Sequence, residues 1–306
     1  TDTERSRKKY ENNIKGDLKW LGLGWDLEKK QSDRIERYND ILRHLIEIGR
    51  VYECFETQDE LDLKRKSQLM SGKPPVYDRS SLKLTKKEKS IFISEGRKPH
   101  YRFLLNHDYV EWNDNIKGIV KYHMSNVSDP VILREDGRYI YTLASVVDDI
   151  DYGISHIIRG EDHVTNSAAQ LQIFKSLRSK LPEMCHLALI SGFDGQGLSK
   201  RLGSFSLNDL RKEQIFPISI LSYLSTIGTS ESINLKENIE EIISNFKFSK
   251  FGNSTSKFDF SELNNINIKA LQKSKLYEVK DYLNYLEIKN IDEKFLEIIR
   301  KNINAL

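Results

Sequence analysis

The chain has 306 residues, of which 30% are Asp, Glu, Lys or Arg and 38% are hydrophobic, and its formal net charge is +3. No stretch approaches the ~18 apolar residues of a membrane span, two cysteines are too few for a disulfide framework or a cysteine-rich metal site, and so small a net charge excludes a global basic field for nucleic acid. The composition therefore predicts a soluble protein of roughly two domains in a reducing, cytoplasmic setting, where any RNA contact comes from local patches.

Two helices and a strand are predicted at the start of the chain. An apolar stripe predicts a helix over residues 3–21, and a second stripe with the 3.6-residue period predicts another over residues 32–48. Gly49 can end the second helix, and the alternation in residues 51–55 is typical of a strand. The sequence is polar from Thr1 onward, so we expect no signal peptide.

The next part of the chain is first charged and then rich in short strands. Residues 58–70 are predicted to form a charged helix, and residues 83–89 form a basic stretch. A basic run is usually a solvated face, and contact with an RNA backbone is the alternative that stays open. Short strands are predicted at residues 101–104, 118–122, 130–133 and 139–141, with turns at 113–115 and 135–137.

An α/β pattern follows. Residues 155–159 and 187–190 have the apolar character of buried strands, and a helix is predicted between them over residues 164–177. This strand–helix–strand order is half of a parallel α/β sheet, in which ligands bind at the carboxyl ends of the strands. Residues 206–227 are predicted to be helical, and helical stripes continue beyond residue 232.

A glycine-rich loop follows the second of these strands. Residues 192–203 contain four glycines and the sequence Ser199-Lys200-Arg201. Glycine lets the backbone take positive φ values and approach a ligand closely, and two adjacent cations with a hydroxyl suit a polyphosphate. An ordinary solvated basic turn has the same composition, so the loop by itself leaves both interpretations open.

Several segments of the chain match the signature motifs of one known family. They are residues 1–6 (TDTERS), 18–26 (LKWLGLGWD), 31–38 (QSDRIERY), 141–149 (YTLASVVDD), 158–163 (IRGEDH) and 197–201 (GLSKR). In this order they resemble the bacterial-type glutamyl-tRNA synthetases, which are class I aminoacyl-tRNA synthetases, with GLSKR in the position of the KMSKS motif. Because the matches cover most of residues 1–230, the sequence is identified as a member of this family.

The resemblance implies an α/β fold: a Rossmann-like class I catalytic core with an inserted α+β domain, followed by an all-α region. The family's HIGH motif does not occur in the chain, and Gly197 replaces the first Lys of KMSKS. We therefore expect an incomplete core that lacks the HIGH segment and most of the anticodon-binding domain. The implied domains are residues 1–50 (first half of the catalytic domain, truncated), 51–138 (inserted tRNA acceptor-binding domain), 139–203 (second catalytic half with the KMSKS-type loop), 204–262 (stem-contact helical domain) and 263–306 (start of the helical anticodon-binding domain).

The activity implied by the resemblance is glutamate–tRNA ligation in translation. Glutamate is activated by ATP to glutamyl-adenylate and passed to the 3′ end of tRNA(Glu), with tRNA(Gln) as a second candidate. Two alternatives stay open: an incomplete fragment that only binds tRNA, and a glutamyl transferase that acts on a modified tRNA base. Relatives of the second kind end soon after the KMSKS loop. We expect ATP, Mg²⁺, L-glutamate and tRNA as ligands, a monomer, and no membrane contact.

Neither step of this reaction needs a protein nucleophile, so the protein positions the reactants and stabilises charge on the phosphates. The resemblance assigns catalysis to Lys200, Ser199 and Arg201, ATP binding to Lys200, Asp162, His163 and Leu198, glutamate binding to Tyr141, Ser145 and Arg159, and tRNA binding to Lys83, Lys86, Lys87 and Arg102.

Other roles for these residues stay open. A planar guanidinium at the end of a strand suits the substrate's side-chain carboxylate, but Arg159 could equally form a structural ion pair with Asp148 or Asp149. Tyr141 could be a core aromatic residue, and His163 a structural histidine.

The chain departs from the relatives that bind a structural zinc ion through Cys-x-Cys and a downstream Cys pair or His. Cys54 is followed by Glu56 in place of the second cysteine, and residues 77–81 contain no thiol. Because zinc needs about four N or S ligands, we expect no zinc.

Overall fold

The computed structural model describes residues 6–192, 206–275, 279, 292–294 and 297. The chain divides into two compact units, one with residues 27–186 and the other with residues 6–26 and from 187 onward. The helices are α1 Lys8–Trp20, α2 Ile35–Glu47, α3 Gln58–Met70, α4 Lys86–Ser94, α5 Tyr141–Asp151, α6 Val164–Ser176, α7 Leu207–Lys212, α8 Pro217–Leu224, α9 Ile239–Asn245 and α10 Phe260–Lys273. The strands are β1 Val51–Cys54, β2 His100–Phe103, β3 Tyr109–Asp114, β4 Gly118–His123, β5 Val131–Leu133, β6 His156–Gly160, β7 Glu183–Leu187, β8 Ile190–Ser191 and β9 Ser256–Lys257. Within these described ranges, no helix combines the length and apolar character needed to cross a membrane.

The first unit contains two sheets. One is antiparallel, in the order β1–β2–β5. The other has the order β4–β3–β7–β6, in which β3 and β4 form an antiparallel hairpin and β3 runs parallel to β7, with Asp114 opposite Met184. Along β3, Val110, Trp112 and Asp114 are buried and the residues between them are exposed. This alternation is typical of a strand with one face toward the core.

Helix α6 is part of the core of this unit. Its residues from Ser167 to Phe174 are all buried, as in a helix surrounded by protein. It packs against α5, and α5 contacts α2. Tyr38, Leu143 and Ile173 from these three helices are fully buried in the same apolar cluster. Burying each such side chain contributes about 1.5–3 kcal/mol to folding, so the cluster holds α5 and α6 together.

An ion-pair cluster fixes α5 against α2. Arg34 Nε lies 2.7 Å from Asp148 Oδ1, and the Tyr38 hydroxyl donates to the same carboxylate at 2.9 Å. Arg34 also pairs with Asp151, one helical turn further on, and Arg37 Nη2 lies 2.8 Å from that carboxylate. Two carboxylates on one face of α5 are thereby satisfied by residues at the start of α2.

The second unit is built around helices. Leu21, Ile220, Tyr223, Leu263 and Ile266 form its buried apolar cluster, and they come from residues near α1, from α8 and from α10. The short strands β8 and β9 pair in parallel. The Asp259 side chain accepts the backbone N–H groups of residues 261 and 262, and it thereby caps α10.

Most elements with a clear period are confirmed. The helix predicted at 58–70 is α3, the helix predicted at 164–177 is α6 with one residue fewer, and the strand predicted at 51–55 is β1. The helix predicted at 3–21 is α1 over its described part, and it begins at Lys8. Among the described helices and strands, β3, α4, α5 and β9 were not predicted.

Two strand predictions are wrong, and a third strand differs from its prediction in burial. The apolar run 187–190 is not the buried strand: β7 ends at Leu187, and its buried residues are Met184, Cys185 and His186. Tyr141 begins α5 instead of ending a strand, although Tyr139 does form an isolated bridge with Leu133. β6 is a strand, as predicted, but it is partly exposed because it lies at the end of the sheet order among the described strands.

The five predicted domains remain a prediction about function. The division into two compact units does not follow their boundaries. In particular, β3 and β4, which lie inside the segment predicted as an insertion, share a sheet with β7 and β6.

A buried histidine in β2 makes the stability of the first unit depend on pH. His100 is 8% exposed, and its Nε2 has no hydrogen-bond partner among the described residues. Burial, with a smaller contribution from the charge of Arg102, lowers the pKa of His100 to about 4. The unfolded chain therefore binds a proton near pH 6.5 that the folded chain takes up only near pH 4. Stability contributed by neutral His100 is complete above pH 6.5 and is lost as the pH falls.

We expect the free energy of unfolding to decrease by about 3 kcal/mol between pH 6.5 and 4 on account of this residue. In His100→Gln that part of the pH dependence should disappear, since glutamine does not titrate. Urea unfolding at a series of pH values measures both. Equal pH slopes for the variant and the unchanged chain would contradict the assignment.

Candidate functional site

The three residues predicted to bind the amino acid lie together in the first unit. Tyr141 is the first residue of α5, Ser145 lies one turn later, and Arg159 is near the end of β6. Arg159 Nη1 donates to the Tyr141 hydroxyl at 3.4 Å. The Ser145 hydroxyl donates to the Tyr141 carbonyl at 2.7 Å and accepts from Gln170 Nε2 at 2.8 Å. Tyr141 is 46% exposed, so it is not a core aromatic residue.

Two residues of α6 hold the guanidinium of Arg159 from one side. Its Nη2 donates to the Ser167 hydroxyl and to Gln170 Oε1, the latter at 2.8 Å. Residues three apart on a helix lie on the same face, so Ser167 and Gln170 present two acceptors to the two N–H groups of one nitrogen. The contact between Nη1 and Tyr141 lies on the exposed side. The guanidinium is therefore fixed at Nη2 and accessible at Nη1.

The structural ion pair that was the alternative role for Arg159 is not observed. Within the described part of the chain, Arg159 pairs with no carboxylate, and Asp148 pairs with Arg34. Arg159 forms no ion pair with Asp149 either, but its charge influences the pKa of the Asp149 carboxyl. Burial and the neighbouring charge of Asp148 raise the pKa of Asp149 to about 6, and Arg159 opposes that rise.

A buried chain of hydrogen bonds continues from Ser167 away from Arg159. The Ser167 hydroxyl lies 2.6 Å from His186 Nε2, and His186 Nδ1 lies 2.5 Å from Asp114 Oδ2. Burial lowers the pKa of His186, and the hydrogen bond with Asp114 offsets that effect only in part, so the ring is neutral near pH 7. Burial would raise the pKa of Asp114, but hydrogen bonds from His186 and from backbone N–H groups outweigh it and lower the pKa.

The order Asp114–His186–Ser167 is the order of a hydrolase catalytic triad, but this one cannot act on a substrate. Ser167 and His186 are 0% exposed and Asp114 is 2% exposed. A nucleophile must reach the bond that it attacks, and the Ser167 oxygen already accepts from Arg159. The triad-like group is therefore a support for Arg159 and not a nucleophilic centre.

Ser167, Gln170, His186 and Asp114 were not predicted from the sequence. One signal was available: Ser167 and Gln170 are polar residues within an otherwise apolar helical stretch, and a buried polar side chain is more informative than an exposed one. His186 likewise stands between Met184–Cys185 and Leu187, so a strand with a polar interior residue was overlooked in favour of the more apolar run that follows it.

The residues predicted on the adenosine side form a helical turn between β6 and α6. Asp162 is exposed, and its carboxylate lies 3.8 Å from His163 Nε2. His163 Nδ1 lies 2.9 Å from the Asn166 side-chain amide, and its ring centroid is 6.2 Å from that of Tyr141. His163 thus lies beside the Tyr141–Arg159 group. Leu198, Ser199, Lys200 and Arg201 lie outside the described residues.

The residues predicted to contact tRNA differ in accessibility. Lys83, Lys86 and Lys87 are exposed. Arg102 is only 8% exposed: Nη1 donates to the Asp129 carbonyl at 2.7 Å, and the guanidinium lies 4.2 Å from the centroid of the Tyr77 ring. The prediction that Arg102 contacts an RNA backbone is therefore wrong for this structure, because β2 directs its side chain into the protein.

Glu56 stands at the position where the family resemblance leads us to expect the second cysteine of a zinc-binding member. Glu56 accepts hydrogen bonds of 2.7 Å from each of the hydroxyls of Tyr77, Ser80 and Ser81. Burial would raise the pKa of Glu56, but these hydroxyl donors outweigh it and lower the pKa to about 2. This Glu56 cluster ties the segment after α3 to the end of β1. Among the described residues, no group of three or more His, Cys, Asp or Glu side chains is arranged to hold a metal ion.

Comparison with known proteins gives consistent matches. A family model described as the catalytic domain of class I tRNA synthetases (E and Q) matches residues 1–265. The chain is 43% identical over 304 residues to glutamate--tRNA ligase 1 of Wolbachia sp. subsp. Brugia malayi, covering 99% of this chain and 68% of that protein. It is 44% identical over 307 residues to glutamate--tRNA ligase 1 of Paracoccus denitrificans, covering 100% of this chain and 70% of that protein.

A solved structure shows the same fold. It is a glutamate tRNA ligase from Elizabethkingia meningosepticum, in complex with its amino acid, and it superposes with a TM-score of 0.85 at 24% identity. The match covers 99% of this chain and 69% of that one. The predicted α/β fold of a class I synthetase catalytic domain is thereby confirmed.

The Glu56 cluster gives a test of the metal prediction. Glu56→Gln should lower the free energy of unfolding by about 1–3 kcal/mol, because a neutral amide cannot accept all three hydroxyl hydrogens and leaves a buried donor unsatisfied. A chelator such as EDTA should leave the unfolding midpoint unchanged. Thermal unfolding followed by circular dichroism measures both, with Glu36→Gln, an exposed residue of α2, as the control. A lower midpoint in EDTA would show that a metal ion stabilises the chain.

Proposed function

The chain belongs to the family of class I tRNA synthetases for glutamate and glutamine, and on that basis we propose that it is a glutamate–tRNA ligase. The observation that carries this proposal is the match of the whole chain to relatives with that name at about 43–44% identity. The proposed reaction joins the glutamate α-carboxylate to the α-phosphate of ATP with release of pyrophosphate. The glutamyl group then passes from the adenylate to a ribose hydroxyl of the 3′-terminal adenosine of tRNA(Glu), and AMP is released.

The arrangement around Arg159 supports an acidic amino acid as the substrate. Both N–H groups of Nη2 are used by Ser167 and Gln170. Nη1 donates to the Tyr141 hydroxyl through one N–H, so that hydroxyl can direct its own hydrogen elsewhere. The second N–H of Nη1 and the Tyr141 O–H together make a two-donor site for a carboxylate, which charge-assisted hydrogen bonds would stabilise.

We propose that the glycine-rich loop supplies the positive charge for the phosphates. Lys200 is the principal catalytic residue in this proposal, with Ser199 and Arg201 beside it and Leu198, Asp162 and His163 on the nucleotide side. No protein nucleophile is needed, so these residues position ATP and stabilise the charge that develops on its phosphates. Mg²⁺ is proposed to arrive with ATP, since it prefers phosphate oxygens and water to an all-protein site.

The remaining proposals concern the setting of the reaction. The chain is proposed to act as a cytoplasmic monomer that binds tRNA(Glu) through the exposed lysines of residues 83–87. Sedimentation of the tRNA-free chain checks the monomer, and two copies per particle would contradict it.

The function is tested by glutamate-dependent exchange of pyrophosphate into ATP, measured in the presence of tRNA. We expect exchange with glutamate but not with aspartate or glutamine, and charging of tRNA(Glu). Exchange that is absent while tRNA still binds would overturn the proposal in favour of a tRNA-binding fragment. Transfer of glutamate to tRNA(Asp) without charging of tRNA(Glu) would favour a glutamyl transferase that acts on a modified base.

The same assay tests the residue roles. Arg159→Ala should raise the KM for glutamate roughly 30- to 1,000-fold, because losing one or two hydrogen bonds to a charged group costs about 2–4 kcal/mol, and should leave the KM for ATP nearly unchanged. Lys200→Ala should instead lower kcat and leave tRNA affinity intact. Arg43→Ala, at an arginine of α2 whose side chain is 73% exposed, is the matched control. An unchanged KM for glutamate in Arg159→Ala would refute its role.

The exposed lysines give a separate test. Replacing Lys86 and Lys87 together by alanine should weaken tRNA binding and reduce the slope of log Kd against log salt by about 0.7–0.9 for each phosphate that the protein no longer neutralises. Lys175→Ala, at an exposed lysine of α6, is the control for a change in net charge alone. Filter binding at several salt concentrations measures the slope. Equal slopes for the double variant and the control would show that the basic stretch is only a solvated face.

A further inference from the structure

We propose that Asp114, His186 and Ser167 are positioning residues: through one chain of hydrogen bonds they fix the guanidinium of Arg159 in the orientation that receives the substrate's side-chain carboxylate. We call these three residues the positioning chain. The inference rests on the proposed role of Arg159 and deepens it, because it names what makes that arginine a rigid receptor.

The first step concerns the freedom of Arg159. An arginine side chain has several rotatable bonds, and holding it in one geometry costs entropy unless its donors are occupied by fixed acceptors. Gln170 and Ser167 are such acceptors, since both lie in the buried part of α6. Gln170 is itself oriented, because its Nε2 donates to Ser145. Its Oε1 is therefore left to face Arg159.

The second step concerns the single hydrogen of the Ser167 hydroxyl. To accept from Arg159, the Ser167 oxygen must direct its own hydrogen to a different acceptor. Two acceptors are within reach: His186 Nε2 at 2.6 Å and the His163 carbonyl at 3.2 Å. The shorter contact favours His186. A lone pair on Nε2 thus determines which way the Ser167 hydroxyl points.

The third step concerns the tautomer of His186. Nε2 can accept only if the ring hydrogen is on Nδ1, and a carboxylate beside Nδ1 holds it there. That carboxylate is Asp114, 2.5 Å from Nδ1. Asp114 cannot rotate away, because its Oδ1 accepts the backbone N–H groups of Ile116, Lys117 and His186 at 3.1, 3.0 and 3.2 Å. By holding Asp114, the backbone therefore determines the direction of the His186 ring hydrogen and of the Ser167 hydroxyl hydrogen.

The positioning chain, with α6, links three neighbouring strands of the β4–β3–β7–β6 sheet. Asp114 ends β3, His186 lies on the neighbouring β7, Ser167 lies on α6, and Arg159 lies on β6. All three positioning residues are buried, so water does not compete for these hydrogen bonds. Arg159 thus has its orientation set by a turn on the far side of β7.

Two substitutions of His186 separate positioning from general structure. In His186→Gln, the amide oxygen can take the place of Nε2 and still accept from Ser167. In His186→Asn, the shorter amide can replace Nδ1 toward Asp114 but does not reach Ser167. Both remove the ring, so a purely structural role for His186 predicts similar effects for the two.

We expect His186→Asn and Ser167→Ala each to raise the KM for glutamate in pyrophosphate exchange roughly 10-fold, with the KM for ATP changed much less. His186→Gln should give a distinctly smaller rise. In the double variant Ser167→Ala with His186→Asn, the KM for glutamate should be no higher than in the more impaired of the two single variants, because both substitutions remove the same hydrogen bond. The control is His44→Asn, at an exposed histidine of α2.

A second measurement does not depend on the substrate. In ¹⁵N NMR spectra, the Arg159 Nη2 hydrogens should exchange slowly in the unchanged chain and in His186→Gln, and rapidly in His186→Asn. Equal effects of the two His186 variants, either on the KM for glutamate in pyrophosphate exchange or on the NMR signals of Arg159, would overturn the positioning role. If the unchanged chain shows no glutamate-dependent exchange but the NMR contrast is present, the proposed function fails and the positioning chain stands.

Discussion

The hydrogen bond between Asp114 and His186 is the constraint on which the arrangement of the first unit depends. It lies between two strands that run parallel, and both groups are removed from water. Buried polar groups in such a place destabilise the fold unless every one of them is satisfied. Asp114 meets this condition by ending its strand in a turn, so that backbone N–H groups of the turn point at its carboxylate. The carboxylate of Asp114 consequently fixes the end of β3 and the tautomer of His186, and through Ser167 it orients Arg159.

The fold could be predicted from the sequence where local period and burial agree. The helix over Gln58–Met70 has a Thr57 capping box, and the predicted boundary coincides with it. Helix α5 was not predicted, because its apolar residues Val146 and Val147 favour strands by propensity. In the structure this segment is helical and packs against α6. The strand that is β7 was predicted too far along the chain, because residues 187–190 are more apolar than the segment that contains His186. Pattern alone cannot tell that a histidine is buried with its partners.

For the predicted amino-acid site as well, some residues could be found from the sequence and others could not. Tyr141, Ser145 and Arg159 belong to short motifs, so a family resemblance points to them, and the structure brings the three into hydrogen-bond contact. Asp114 reaches Arg159 only through His186 and Ser167, and it lies 72 residues from His186, so no periodic signal in the sequence connects the two positions. Arg102 shows the opposite error: the resemblance assigned it to tRNA contact together with exposed lysines, whereas its side chain is buried and donates to the Asp129 carbonyl.

The Glu56 cluster changes what the segment after α3 requires in order to form. A site of thiolates closes only after it has captured an ion, and it opens when the thiols are oxidised or the ion is removed. Three hydroxyls around one carboxylate are supplied by the chain itself, and with a pKa of about 2 the carboxylate keeps its charge through the whole physiological range. The hydrogen bonds that hold this junction are thus made by groups of the chain itself, around a carboxylate that stays ionised.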